Sequence, residues 1–434
     1  EKMKKKLVLA LSICLVISII FVGVSAIIIY ASLGPTEGSP IESTYHMDEQ
    51  GNFVANIPRE KYLSQTQPQE DEVIFDITAY GASPNNSALN NQSSIQNAIN
   101  QASASNGGVV LVSAGSYKTT SIELKSNITL RINADSELQC ITKRENNTLK
   151  KEDRLSSFGF LYANNCENII IEGPGRIVGN GATYVNDQKD SSIFYPLDTF
   201  NLKTYIIEHR KRIMMSDEHE FKRPFMIGMI NCKNITIRNL EIYEAASWTC
   251  RLEGLENLLI DSIIINNNVN VANADGIDLE GGKNIIIKNS FIATADDGIC
   301  LKTDYNSLPL ETVLIENCEI MSLANAFKIG TGTWHNVTDV TLRDCFFFMA
   351  GIAGGYSGIA IEAVDGGNIS DIVIENIDME NVTAPLLIWL GYRNNSSTLE
   401  NINISNITAI NCDLPSAITG YKRGSNIAYV KDVT

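Results

Sequence analysis

From Val73 to the end of the chain, runs of three or four apolar residues alternate with Asn, Gly and Asp. One form recurs: Asn followed by a largely β-branched triplet. It appears as Asn127-Ile128-Thr129-Leu130, Asn168-Ile169-Ile170-Ile171, Asn234-Ile235-Thr236-Ile237, Asn257-Leu258-Leu259-Ile260 and Asn284-Ile285-Ile286-Ile287. Val313-Leu314-Ile315-Glu316, Val340-Thr341-Leu342-Arg343, Ile372-Val373-Ile374-Glu375 and Ile402-Asn403-Ile404-Ser405 continue it. A repeat of about 20–50 residues made of short strands, with no helix between them, predicts a solenoid of the parallel β-helix type. Each strand then hydrogen-bonds to its equivalents one coil above and below. The recurrent Asn suits the turns, because its side chain tolerates left-handed backbone and bonds neighbouring amides.

Three stretches depart from this pattern. Residues 92–104 carry Ile95, Ala98, Ile99 and Ala102 on one helical face, and predict a helix that caps the first coil. Residues 182–224 are charged and aromatic, which predicts an excursion walling one side of a cleft. Residues 34–70 are rich in Pro, Ser, Gln and Glu and read as a linker. Before it, Lys4, Lys5 and Lys6 precede an apolar run from Leu7 to Leu33. About 20 apolar residues span a bilayer, so residues 1–33 are expected to be a signal anchor or a signal peptide. The remainder, 71–434, is then one β-helix domain outside the cytoplasm, tethered by the N-terminal segment or secreted. Its last residues, Val433-Thr434, fall inside a strand pattern, so a longer natural C-terminus is expected.

The chain has 434 residues and a formal net charge of −16, which argues against nucleic acid as a partner. Of its nine cysteines, Cys166, Cys232, Cys318, Cys345 and Cys412 follow Asn or Asp. They are expected as buried free thiols recurring at one point of the repeat. None has the spacing of a zinc site.

The candidate chemistry emerges when one strand of each coil is aligned on its inward pair. Cys250/Leu252, Ile277/Leu279, Ile299/Leu301, Phe327/Ile329, Ile359/Ile361 and Leu386/Ile388 fit this frame. Side chains alternate across a strand, and neighbouring strands lie about 4.8 Å apart. Three outward columns follow. The first reads Trp248, Asp275, Asp297, Asn325, Ser357; the second Arg251, Asp278, Cys300, Lys328, Ala360; the third Glu253, Glu280, Lys302, Gly330, Glu362, Trp389. Asp296 stands at the strand entrance beside Asp297. Like charges stacked this closely raise one another's pKa, and a purely structural sheet avoids them. Glycoside hydrolysis uses such a set, one carboxyl as acid and another as base or nucleophile. Inverting enzymes hold the pair roughly 6.5–9.5 Å apart, which a diagonal pair such as Asp296 and Asp275 is expected to meet. Tight-turn aspartates or a calcium site are the structural alternatives; calcium needs more oxygen ligands than these strands offer.

Asn273-Ala274-Asp275-Gly276-Ile277-Asp278 followed by Asp296-Asp297-Gly298-Ile299-Cys300-Leu301-Lys302 resembles the paired aspartate motifs of polygalacturonase-like enzymes, glycoside hydrolase family 28. Residues 75–82, 107–112 and 170–177 are also similar to that family, so the resemblance runs from about Val73 to the C-terminus. It implies a single-stranded right-handed parallel β-helix and inversion at the anomeric carbon. It also implies Asp296 as general acid, Asp275 and Asp297 as activators of water, and neither metal nor cofactor. Two departures matter. The family's Gly-His-Gly falls at Ala324-Asn325-Ala326, and its Arg-Ile-Lys at Ala360-Ile361-Glu362. The basic residues that hold a substrate carboxylate in polygalacturonases are therefore lost, and Glu362 repels one. The expected substrate is a polysaccharide or oligosaccharide whose sugar at this point is not an ordinary galacturonate. Glu362 then accepts hydroxyls of a neutral sugar or pairs with an amino sugar. Asn273, Asp278, Lys302, Asn325, Lys328, Glu362, Arg393 and Trp248 are the candidate substrate contacts, with Lys302, Lys328 or Arg393 available for an acidic group elsewhere. The chain is expected to be monomeric. A uronate lyase or epimerase, or a non-catalytic carbohydrate-binding surface protein on the same helix, are the rival readings.

Overall fold

In this computed structural model the described residues are 45–47, 53–64, 71–184, 223–269, 271–350 and 357–434. Of these, 27 strands join into one continuous parallel ladder wound as successive coils. Strand Cys250–Asp261 lies in parallel register on Ile277–Lys288, with Cys250 opposite Ile277 and Leu258 opposite Ile285. Ile277–Lys288 in turn pairs with Ile299–Thr303 and Leu310–Glu316. The winding is that of a β-helix, right-handed as parallel crossovers are.

The inward columns make the core. Ile277, Ile299, Phe327 and Ile359 stack with no exposed surface, as do Leu279, Leu301, Ile329 and Ile361. Each such side chain contributes roughly 1.5–3 kcal/mol. The turns use left-handed residues at fixed places. Asn127, Asn168, Asn234, Asn257 and Asn284 all have positive φ, and their amides bond one to the next over 2.7–3.0 Å. An Asn at this place thus satisfies the backbone and the neighbouring coil together.

The capping helix spans Ala88–Ala104, four residues longer at its start than the apolar pattern predicts. Ser87 caps it by accepting from Asn90 N, a polar signal that apolar spacing does not register. Ile95, Ala98, Ile99 and Ala102 face the first coil, as expected.

Four expectations are corrected or bounded. The described cysteines are free thiols, but the five that follow Asn or Asp occupy three different turns. Cys166 stacks with Cys232 and Cys318 with Cys345, while Cys412 stands at another turn. The expected linker is ordered over 53–64, where it straps the outside of the coils. Asn266 bonds Ala55 N and O, Arg59 pairs with Glu241 at 2.9 Å, Tyr62 meets Phe291 edge-on, and Asn239 bonds Ser64 N and O. The excursion is described only at its ends, residues 182–184 and 223–224; 185–222 lie outside the described residues. So does the apolar segment 1–33; no helix among the described residues is long and apolar enough to cross a membrane.

Candidate active site

The site sits on the sheet made by Cys250–Asp261, Ile277–Lys288, Ile299–Thr303, Phe327–Thr333, Ile359–Ala363 and Leu386–Leu390. The second outward column is in register as predicted, through Arg251, Asp278, Cys300, Lys328 and Ala360. The first column stacks through its backbone: Gly276 N bonds Asp297 O, and Gly298 N bonds Asn325 O. The glycine after each aspartate is required by this close approach. A Cβ on Gly276 would stand 2.3 Å from Gly298 O, and one on Gly298 2.5 Å from Ala326 O. The third column breaks. The register shifts between Leu301 and Thr303, so Thr303 faces Thr333 and Gly330 is not the partner of Lys302. Residues 330–332 bulge there, a feature that strict period-two reading cannot see.

One carboxylate oxygen from each of Asp275, Asp296 and Asp297 lies within 4.8 Å of the other two. One water making two hydrogen bonds of about 2.8 Å can bridge such a gap, so the spacing of the trio suits a water bonded to two of its members. Asp296 is pinned just outside its strand, its carbonyl accepting from Thr294 Oγ1 at 2.7 Å and Ser322 Oγ at 2.6 Å. Asp297 Oδ1 accepts from Asn325 N at 3.1 Å and Asn325 Nδ2 at 2.8 Å, and its Oδ2 from Lys328 Nζ at 3.1 Å. That donor set suits an acceptor-only carboxylate. Asp275 Oδ1 is buried with no hydrogen-bond partner.

The electrostatics are uneven. Burial, then Asp278 and Asp296, push Asp275 well above the ordinary carboxylate range, against the pull of Lys302. Burial and then Asp297 raise Asp296, while Lys328 lowers it. Burial raises Asp278 to about 7, although Lys302 beside it opposes the rise. Burial and mutual repulsion thus favour the protonated forms of these carboxyls relative to free ones, the direction that a carboxylic acid donor requires. Burial works against the Lys302 ammonium, yet Asp278, Cys300 and Asp275 hold it well above the ordinary lysine value. Lys302 Nζ bonds Asp278 Oδ1 at 2.5 Å, lies 3.9 Å from Asp275 Oδ2, and sits 3.8 Å from the centre of the Trp248 ring. The trio has the donor set of a cation site, but Lys302 and Lys328 already place positive charge against it.

Asp275, Asp296, Asp297, Asp278, Lys302, Asn325, Lys328, Glu362 and Trp248 are thus brought together. Asn273, in left-handed conformation, borders them and accepts from Arg223 Nη2 at 3.0 Å. The cations expected to be available for an acidic group are instead paired. Lys328 lies between Asp297 and Glu362, 3.7 Å from Glu362 Oε2, and Arg393 is turned onto Asp365 and Thr331. Sequence reasoning missed Asp365 and the Arg251–Glu280 pair at 2.9 Å. The position of Glu280 directly beneath Arg251's strand neighbour Glu253 was the available signal for the second.

Residues 209–422 match the family model described as "Glycosyl hydrolases family 28". That stretch, just under half of the chain, resembles the family at low identity. An endo-polygalacturonase of Pectobacterium carotovorum subsp. carotovorum is 26% identical over 310 residues, 68% of this chain and 71% of that protein. A probable polygalacturonase of Arabidopsis thaliana is 23% identical over 193 residues, 43% of this chain and 42% of its own length. The matched part therefore spans under half of that plant relative. The crystal structure of a hyperthermoactive exopolygalacturonase from Thermotoga maritima superposes with a TM-score of 0.60 at 20% identity, covering 81% of this chain and 83% of that one. The shared fold is the right-handed β-helix of family 28, and the match runs through the aspartate trio and on to Arg393.

Proposed function

We propose that this chain hydrolyses glycosidic bonds of a polysaccharide or oligosaccharide by single displacement with inversion. The convergence of Asp275, Asp296 and Asp297 within 4.8 Å, in unequal surroundings, carries the reading. Asp296, raised by burial and Asp297, protonates the leaving oxygen. Asp297, tied by Asn325 and Lys328, and Asp275 take the attacking water between them. The leaving oxygen gains the Asp296 proton, the anomeric carbon gains the water oxygen, and the water's proton passes to the Asp275–Asp297 pair. The relatives named polygalacturonase support the polysaccharide class, and the Lys4–Lys6 and Leu7–Leu33 pattern supports action outside the cytoplasm, tethered or secreted. The lyase reading needs a neutral base, and both site lysines are ion-paired ammoniums. The test follows reducing ends and ultraviolet absorbance over acidic and neutral polysaccharides, with Asp296→Asn alongside and product anomers read by NMR. Reducing ends without absorbance, lost in the variant, support hydrolysis; absorbance from unsaturated products refutes it.

A further inference from the structure

The outward columns and the loop after them contribute four cations to this face: Arg251, Lys302, Lys328 and Arg393. Each already meets a carboxylate. Arg251 bonds Glu280 at 2.9 Å and Glu253 at 2.8 Å. Lys302 holds Asp278 and approaches Asp275. Lys328 lies 3.1 Å from Asp297 and 3.7 Å from Glu362. Arg393 bonds Asp365 and Thr331. A sugar carboxylate entering here competes with these carboxylates for the cations, and it meets Asp297 and Glu362 as like charges.

Glu362 adds the opposite feature. It is 4% exposed, and its Oε2 has no hydrogen bond, only the Lys328 ammonium at 3.7 Å. A buried acceptor with no donor is costly until a donor arrives. An ammonium on the incoming sugar is disfavoured, because Lys328 already places one beside Glu362. A hydroxyl satisfies the oxygen with no added charge.

We infer that the sugar unit seated over Lys328 and Glu362 is an uncharged one, recognised by a hydroxyl donated to Glu362, so that the substrate is a neutral glycan or carries a neutral unit at this position. This rests on the glycosidase reading, but its test does not depend on turnover. Asp296→Asn protein is titrated by calorimetry with an oligogalacturonate and with the same oligosaccharide after reduction of its carboxyls to primary alcohols. Linkage and ring are identical in the two probes, so only the charge differs. The reduced form is expected to bind at least tenfold more tightly, with the gap narrowing as salt rises. Glu362→Lys is expected to shrink or invert the ratio. Glu362→Gln, which preserves volume, is expected to shrink it by less, and circular dichroism confirms that both variants fold. Equal or tighter binding of the acidic probe overturns the inference, as does binding of neither. A neutral preference in a wild-type protein that cleaves nothing would sink the hydrolase reading and leave this one standing.

Discussion

Asn325 donates twice to a single oxygen of Asp297, from its backbone N at 3.1 Å and from Nδ2 at 2.8 Å. Its own Oδ1 accepts from Ser357 N at 3.2 Å, which fixes the amide orientation through the next coil. Asn325 stands where the family's histidine is expected, and in the proposed mechanism these bonds position Asp297. Hydrogen bonds to charged groups are worth about 1.5–3 kcal/mol, so Asn325→Ala should lower kcat on the order of ten- to a hundredfold. KM should change little, because the bond goes to Asp297. A variant with unchanged kcat and a raised KM would instead make Asn325 a substrate contact.

The alkaline limb of the pH profile tests the acid. In the proposed mechanism Asp296 acts while protonated, so activity is expected to fall as pH rises through its pKa. Burial and Asp297 raise that pKa, and Lys328 lowers it. Lys328→Met removes the lowering influence, so the alkaline limb of kcat/KM should move upward. A downward shift, or none, would disconnect Asp296 from the acid role.

Much of this architecture is legible before any coordinates, because the β-helix writes each coil in the same residue types. The inward pairs from Cys250/Leu252 to Leu386/Ile388 give the register outright, and with it the stacked aspartates. What fails to show is geometry that depends on the chain between strands. The shift at Leu301/Thr303 displaces Gly330, and no period announces it. The pairing of Lys328 with Glu362 and of Arg393 with Asp365 is likewise hidden, since charge type shows in a sequence and side-chain direction does not. The strap at 53–64 escapes for a related reason. Its polar composition suits a linker, but its affinity comes from partners such as Asn266, 211 residues away.

That strap offers a separate measurement. Buried Asn266 binds Ala55 N at 3.1 Å and Ala55 O at 3.0 Å. Asn266→Ala removes both bonds, at a local cost of about 1–3 kcal/mol. Limited proteolysis within residues 53–64 should accelerate about tenfold or more, while the thermal transition of the coils moves little. A large fall in Tm with unchanged cleavage would mean that the strap and the coils unfold as one unit.

The left-handed asparagine row allows backbone and side chain to be weighed against each other. Asn234 has a φ of 54° and is exposed, accepting from Asn257 Nδ2 and donating to Asn168 Oδ1, each at 2.9 Å. Alanine keeps neither the bonds nor an easy left-handed backbone, and the conformation alone costs roughly 1–2 kcal/mol. Glycine loses the same two bonds but adopts positive φ freely. Water competes for exposed bonds, so the backbone should dominate. Asn234→Ala should lower stability by about 2 kcal/mol and Asn234→Gly by about 1 or less, read as denaturant midpoints at constant slope. Equal losses in the two variants would move the weight to the amide ladder, and the Asn row would then be a hydrogen-bonded spine first and a turn device second.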